Sequence, residues 1–237
     1  MHFAMKTQVL KAFSGVDPRR LLAYPEVYRN FQRLVQGSNA RPRLVKDFLK
    51  IDPGQRVLDI GCGTADILAH LPHDIDYHGY DIDVAYIASA RARYGHRGSF
   101  VVGSVSPELT HGVATFDMVI ALGVVEHLTD PLADTLFAAA RKVLRPGGRL
   151  VTLDGAYVKG QHPIAWLLLA LDRGGHVRTP EDYLAIARRH FADASATVLH
   201  DLNAVPYTHC IIEARALDHD GRAPVVLKKP RDDGKKS

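Results

Sequence analysis

The chain has 237 residues, a formal net charge of +4 and 46% hydrophobic residues, which is typical of one large globular domain. Its two cysteines, Cys62 and Cys210, exclude a disulfide framework and a four-cysteine zinc site, and they fit a reducing cytoplasm. The apolar runs fall short of the roughly 20 residues that span a bilayer, and the first residues lack the apolar centre of a signal peptide. We therefore expect a cytoplasmic protein without a membrane span.

Helical and strand patterns alternate along the chain. Apolar residues at helical spacing or in short runs predict helices and strands; the helices are expected at 39–50, 84–94, 131–144 and 179–190. The seven strands are expected at 56–60, 74–80, 99–102, 117–122, 149–154, 196–201 and 210–216. Residues 155–178 are predicted to be irregular, with one apolar helical turn around Trp166. Strands separated by helices indicate a mainly parallel sheet, and the short link before the last strand makes that strand antiparallel.

These elements predict a doubly wound α/β fold with helices on both faces of a seven-stranded sheet. We expect a helical lid over residues 1–38, the main domain over 39–217 with an insertion at 155–180, and a flexible tail over 218–237. Both ends of the chain are basic, which favours weak attraction to anionic partners or simply solubility.

The strongest motif is a glycine turn after the first strand, VLDIGCGTAD at residues 57–66. Gly61 and Gly63 allow a ligand to approach the backbone, because no side chain stands in its way. In a sheet of this kind the ligand lies beyond the carboxyl ends of the strands, where the strand order reverses. Asp66 replaces the third glycine of the dinucleotide fingerprint, and an acid there disfavours a pyrophosphate and suits a cationic ligand.

This stretch resembles the first motif of the class I S-adenosylmethionine-dependent methyltransferases, which share a Rossmann-like fold. Three more motifs follow in the family's order: GYDID at 79–83, FDMVIALGVVEHL at 116–128 and RPGGRL at 145–150. The resemblance is to the small-molecule members, and it implies S-adenosylmethionine as the cofactor. The third-strand motif, FVVGSV at 100–105, departs from the family because Ser104 stands in place of an acid.

The resemblance assigns cofactor contacts along the sheet edge. The amino-acid part of the cofactor falls to Asp59, Gly61, Cys62 and Gly63. Asp81 offers two acceptor oxygens to the ribose hydroxyls, and Ile82 packs on the adenine. The remaining expected contacts are Gly103, Ser104, Val105, Ala121, Leu122 and Tyr28.

The acceptor side is expected around the turn after the fourth strand, the insertion and the N-terminal segment. His127 is the candidate general base, since a neutral imidazole can take a proton near pH 7; alternatively it only caps the turn. The candidate substrate contacts are Tyr24, Glu126, Arg173, Arg178, Tyr207 and His209. The two arginines could clamp a phosphate or carboxylate, or could be solvated loop residues. No metal is expected, because Gly123 occupies the position of the further acid that metal-binding relatives use.

The sequence favours a small-molecule acceptor. Motifs of DNA amino- and cytosine-methylating enzymes are missing after the fourth strand, and no RNA-binding module is visible, so nucleic acid is an unlikely partner. A methyltransferase acting on protein or RNA, a nicotinamide oxidoreductase and a non-catalytic cofactor-binding protein remain as alternatives. Monomer and homodimer are both left open.

Overall fold

The computed structural model describes residues 40–104, 116–171 and 175–217. Within these ranges seven strands form one sheet in the order β3-β2-β1-β4-β5-β7-β6. The strands are β1 Arg56–Ile60, β2 Asp76–Asp81, β3 Gly98–Val102, β4 Phe116–Leu122, β5 Leu144–Gly155, β6 Asp193–Leu199 and β7 His209–Arg215. The first five strands are parallel, whereas β7 pairs antiparallel with both β5 and β6. The predicted fold class is confirmed.

Five α-helices flank the sheet in the described part of the chain. They are α1 Ala40–Leu44, α2 Val84–Tyr94, α3 Asp130–Val143, α4 Pro163–Leu171 and α5 Pro180–Arg188. Helix α1 continues into a π-helical turn, Val45–Leu49, and ends at Lys50 in the left-handed conformation. Thr179 caps α5, because its side chain accepts a hydrogen bond from the Asp182 N–H.

Two apolar cores lie on opposite faces of the sheet. On one face, α3 and α5 pack through residues such as Phe137 and Tyr183 against the inward side chains of β1, β4, β5 and β7. On the other face, α1 and α2 pack against Val57, Tyr77 and Ile120. Because strand side chains alternate between faces, each central strand feeds both cores. This leaves the carboxyl ends of β1, β2 and β4 as the open edge of the sheet, where the strand order reverses between β1 and β4.

The glycine turn leads into a short 3-10 turn, Asp66–His70. Two local predictions are corrected by the structure. The segment around Trp166 forms the nine-residue helix α4 rather than a single turn. Strand β5 begins at Leu144, where the breaker RPGG was expected to lie outside it, because Gly147 and Gly148 exchange backbone hydrogen bonds with Ala216.

In the described residues no helix is long and apolar enough to cross a membrane. The predicted lid over 1–38 and the tail over 218–237 lie outside the described residues, so they stay predictions.

Candidate active site

The glycine turn after β1 is held by hydrogen bonds to the end of β2. The N–H groups of Gly61 and Cys62 both donate to the Tyr80 carbonyl oxygen, at 2.7 and 3.0 Å. Gly61 and Gly63 have φ angles of +71° and +54°, a region that favours glycine. A Cβ on Gly63 would meet nothing within 4 Å, whereas one on Gly61 would lie 2.5 Å from Val124 Cγ2. The turn therefore has one open side, at Gly63, and one closed side against Val124.

Asp81 ends β2 directly beside this open side. Its Oδ2 accepts a hydrogen bond from the Gly63 N–H at 2.8 Å, and its Oδ1 accepts one from the Asp83 N–H at 2.8 Å. Each carboxylate oxygen carries a further lone pair. The side chain is thus aligned by the backbone and keeps acceptor capacity for a ligand with adjacent hydroxyl groups.

An apolar surface continues from Asp81 toward β3. Ile82 directly follows β2 and is 77% exposed. Gly103 follows β3, and a Cβ there would meet nothing within 4 Å. Ser104 beside it is exposed, and the neighbouring Val105 lies outside the described residues. Open space at Gly63 and Gly103, an exposed aliphatic residue and an aligned acid between them fit the amino-acid, ribose and adenine parts of S-adenosylmethionine.

Asp59 lies behind the glycine turn. Its side chain is almost enclosed, with 3% of the residue exposed, and it accepts a hydrogen bond from the Tyr77 hydroxyl. Burial raises the pKa of this carboxyl to about 7. The half-buried Cys62 packs nearby, and burial together with Asp59 raises the pKa of its thiol, so the thiol stays protonated. The direct cofactor contacts predicted for Asp59 and Cys62 stay predictions.

Asp66 has its own cationic partners. Its Oδ1 pairs with Arg93 from the last turn of α2, and its Oδ2 lies 3.8 Å from Arg41 in α1. The acid that was predicted to suit a cationic ligand is therefore paired within the protein, and the two arginines offset its charge.

The turn after β4 carries the two predicted acceptor-side residues. Residues Val125–His127 form a 3-10 turn in which Glu126 is buried and the side chain of His127 is 40% exposed. Glu126 Oε2 accepts a hydrogen bond from the Gly155 N–H at 2.6 Å, and its Oε1 lies 3.8 Å from His127 Nε2. The buried carboxylate therefore joins the ends of β4 and β5 and faces the imidazole of His127.

Tyr207 and His209 lie next to Glu126 at the start of β7. A Cβ on Gly155 would stand 2.7 Å from Glu126 Oε2, 2.9 Å from the Tyr207 hydroxyl and 2.5 Å from Leu169 of α4, so these groups converge. The rings of Tyr207 and His209 pack at 4.7 Å between centroids. Burial lowers the pKa of His209 to about 4, which keeps its imidazole neutral at physiological pH. The structure brings Glu126, His127 and Tyr207 together, with His209 behind them.

Two predicted site residues are not supported by their positions. Ala121 is fully buried in the core that faces α3, so its side chain has no surface for a cofactor; Leu122 after it is half-buried. Arg178 is buried, and its five N–H donors are directed at Val125, Leu128, His176 and Asp130. No donor remains for an anionic substrate, so we correct the predicted clamp. The physical reason is burial, which an exposed-loop reading of DRGGHVR (172–178) did not anticipate.

Tyr24, Tyr28 and Arg173 lie outside the described residues and stay predictions. Sequence reasoning missed Asp154, whose carboxylate lies under the Glu126 turn. An acid at the end of the apolar strand VTLDG was the available signal. It also missed Tyr77, since a tyrosine in a strand is ordinarily a core residue. Among the described residues, no group of three or more histidine, cysteine or acidic side chains converges into a metal site.

A parallel sheet that reverses its order beside this glycine turn, with an aligned acid at the end of the next strand, defines a Rossmann-like nucleotide-binding fold. Among proteins of this fold, the sequence motifs predict the class I S-adenosylmethionine-dependent methyltransferases. Comparison with known proteins agrees, since the family model described as a methyltransferase domain matches residues 57–148. The chain thus contains a methyltransferase domain over these residues, and the predicted family and its cofactor, S-adenosylmethionine, are confirmed.

Individual relatives cover the chain to different extents. An O-methyltransferase, cnsE, of Penicillium expansum is 34% identical over 43% of this chain and 38% of its own length. A ubiquinone biosynthesis O-methyltransferase of Mesorhizobium japonicum is 27% identical over 79% of this chain and 76% of its own length. The crystal structure of the S-adenosylmethionine-dependent methyltransferase SibL is 18% identical, with a TM-score of 0.66 over 91% of this chain and 69% of that chain. The chain spans less than two thirds of several curated relatives, including 28% of a phosphoethanolamine N-methyltransferase of Triticum aestivum.

Proposed function

We propose that the protein transfers the methyl group of S-adenosylmethionine to a hydroxyl or amine of a small molecule, such as a metabolite, a sugar or a lipid precursor. One observation carries this proposal. The turn that holds His127 and Glu126 presses through Val124 against Gly61 of the glycine turn, with 2.5 Å from Val124 Cγ2 to the position of a Cβ. The candidate base and the cofactor cradle therefore share one edge of the sheet.

The cofactor side is divided among three groups of the chain. The glycine turn receives the amino-acid part on its open side, at Gly63, and Asp81 accepts hydrogen bonds from the ribose. Ile82 supports one face of the adenine, and the Ser104 hydroxyl bonds to its amino group. Asp59 acts from behind, because its bond to Tyr77 fixes the strand end from which the glycine turn starts.

The acceptor side needs only alignment and one proton transfer. The bound cofactor supplies an activated methyl group on a sulfonium centre. His127 accepts the proton of the incoming hydroxyl or ammonium at an imidazole nitrogen. Glu126 lies 3.8 Å from that imidazole, while Leu169 and Tyr207 pack beside Glu126 at the end of β5.

The names of the relatives suggest which acceptors to test. They include enzymes of oxygen methylation, such as ubiquinone biosynthesis O-methyltransferases, and enzymes of nitrogen methylation, such as phosphoethanolamine N-methyltransferases. We favour an oxygen acceptor, for which removal of the proton by His127 matters most. A radiolabelled methyl transfer assay with phenols, sugar alcohols and primary amines would distinguish these groups.

The first experiment is cofactor binding by calorimetry with S-adenosylhomocysteine, S-adenosylmethionine and NAD. We expect binding of the first two and none of NAD. Asp81→Ala should abolish this binding. Asp83→Ala is the matched control, because Asp83 lies two residues away and only caps α2 through the N–H groups of Ala85 and Tyr86. That variant should lose about 1 kcal/mol of stability and keep its affinity.

Two results would contradict the proposal. One is wild-type protein that binds neither S-adenosylmethionine nor S-adenosylhomocysteine at millimolar concentration. The other is equal loss of affinity in the Asp81 and Asp83 variants, since this would make the effect of Asp81 purely structural.

A further inference from the structure

Two buried charged side chains hold the turn after β4 from opposite sides. We propose that Arg178 and Asp154 are positioning residues that fix the backbone of residues 124–128 and thereby set the place of His127. This inference rests on the proposed function of His127. The hydrogen bonds of Arg178 and Asp154 to residues 124–128, which we call the turn clamp, can be tested without a methyl acceptor.

Arg178 binds the carbonyl groups of the turn. It is 8% exposed, and its Nη1 donates to the Val125 carbonyl at 2.9 Å while its Nη2 donates to the Leu128 carbonyl at 2.6 Å. Nε and Nη2 both donate to Asp130 Oδ1, at 2.9 and 2.7 Å, which ties the turn to the start of α3. The remaining donor goes to the His176 carbonyl at 2.9 Å. Only a guanidinium supplies five donors in one plane, so lysine cannot reproduce this pattern.

Asp154 binds the N–H groups of the same turn. It is 2% exposed, and its Oδ1 accepts from the N–H of Val124 and from the N–H of Glu126, each at 3.1 Å. The side chain leaves the end of β5, so the bonds join the turn to the rigid sheet.

Further backbone hydrogen bonds also hold the turn at residues 124–128. The His176 N–H donates to the Glu126 carbonyl at 2.9 Å, and the His127 and Leu128 N–H groups bond within the turn at 3.0 and 3.1 Å. Arg178 itself is fixed, because its N–H donates to the Tyr183 hydroxyl and its carbonyl accepts from Tyr157. From Val124 to Leu128 the turn is therefore held on both its donor and its acceptor sides.

Such rigidity matters where a methyl group must meet a nucleophile in line. A misplacement of about 1 Å can slow a positioned reaction roughly a hundredfold. Because Val124 also closes the glycine turn at Gly61, the clamp keeps the base and the cofactor cradle in one fixed relation.

The test compares Arg178→Ala and Arg178→Lys with Arg149→Lys in the full chain. Arg149 is the matched control, since it also binds two backbone carbonyls, those of Phe48 and Leu49, but from the middle of β5, away from the turn. Amide hydrogen exchange is measured by NMR for residues 124–128 against core amides of β4. We expect amide exchange in the turn to accelerate about tenfold or more in both Arg178 variants. In Arg149→Lys, the ratio of turn exchange to exchange of the β4 core amides should stay at its wild-type value.

Three further readouts separate positioning from general destabilisation. The ring resonances of His127 should change in the Arg178 variants but not in Arg149→Lys. Guanidinium at millimolar concentration should restore turn protection to Arg178→Ala, whereas urea should not. If Arg178→Ala does not fold, Asp154→Asn serves instead: its amide oxygen still accepts both N–H groups, so we expect a smaller acceleration than in Asp154→Ala.

Turn amides that keep their wild-type protection relative to the core in Arg178→Lys would overturn the clamp. So would His127 resonances that respond equally to Arg149→Lys. Either result leaves the proposed function untouched, because S-adenosylhomocysteine binding to the wild type tests that function separately.

Discussion

The two glycines of the cofactor turn should respond differently to the same substitution. Gly61→Ala and Gly63→Ala each force a non-glycine residue into a left-handed conformation, which costs about 1–2 kcal/mol. At Gly63 the new methyl group meets nothing within 4 Å, whereas at Gly61 it would stand 2.5 Å from Val124 Cγ2. Because valine is stiff at χ1, relief of this clash needs backbone movement. This movement costs about 1–3 kcal/mol more of unfolding free energy.

We therefore expect Gly61→Ala to lose about 2–5 kcal/mol of unfolding free energy and Gly63→Ala only about 1–2 kcal/mol. For ligand binding we expect the opposite order, with the larger loss of affinity in Gly63→Ala. The Gly63 methyl group enters the space that we assign to the cofactor, so S-adenosylhomocysteine should bind roughly tenfold to a hundredfold more weakly to a folded Gly63→Ala protein.

Urea unfolding and calorimetry measure the two effects. Val124→Ala provides an internal check, because it removes the atom that clashes with a residue at position 61. In a double-mutant cycle it should recover about 1 kcal/mol or more of the Gly61→Ala loss and none of the Gly63→Ala loss. Equal stability of the two single variants would refute the clash, and wild-type affinity in Gly63→Ala would refute the assigned cofactor space.

Two further predictions concern the proton chemistry. His127→Ala should lower kcat by about a hundredfold or more without changing S-adenosylhomocysteine affinity, whereas replacing the exposed His96 by alanine should change neither; full activity would remove His127 as the base. Asp59 has its pKa raised to about 7 by burial, so its contribution to stability is fully present below the unfolded pKa near 3.8 and is lost as the pH rises through 7. Wild-type protein should therefore lose up to about 1.4 kcal/mol per pH unit relative to Asp59→Asn between about pH 5 and 7, measured by urea unfolding, and parallel pH curves would contradict the raised pKa.

The elements that depend on a local requirement were the easiest to predict. The turn at Gly61 and Gly63, the strand end at Asp81 and the cap at Thr179 each depend on a local requirement, which is a positive φ, a strand terminus or an orphan N–H. Local requirements leave a signature in neighbouring residues, and the structure agrees with the prediction at these points.

The role of Arg178 could not be read in the same way. Its sequence context, DRGGHVR, is that of a solvated loop, yet the side chain lies buried beneath a turn about fifty residues earlier in the chain. Asp66 was similarly misjudged, since its partners Arg41 and Arg93 come from helices on either side in sequence. Long-range pairing has no periodicity or spacing by which it can be recognised.

The sequence by itself determined the class of fold, the cofactor family and the edge of the sheet at which we place the candidate active site. Hydrophobic periodicity dictates strands and helices, and glycine and acid at fixed spacing dictate what can approach them. Only the tertiary structure decided that Glu126, His127 and Tyr207 meet. It also decided that Arg178 and Asp154 bind the backbone of the turn at residues 124–128. These are contacts between segments far apart in the chain, and their geometry exists only once the sheet has closed and both cores are packed.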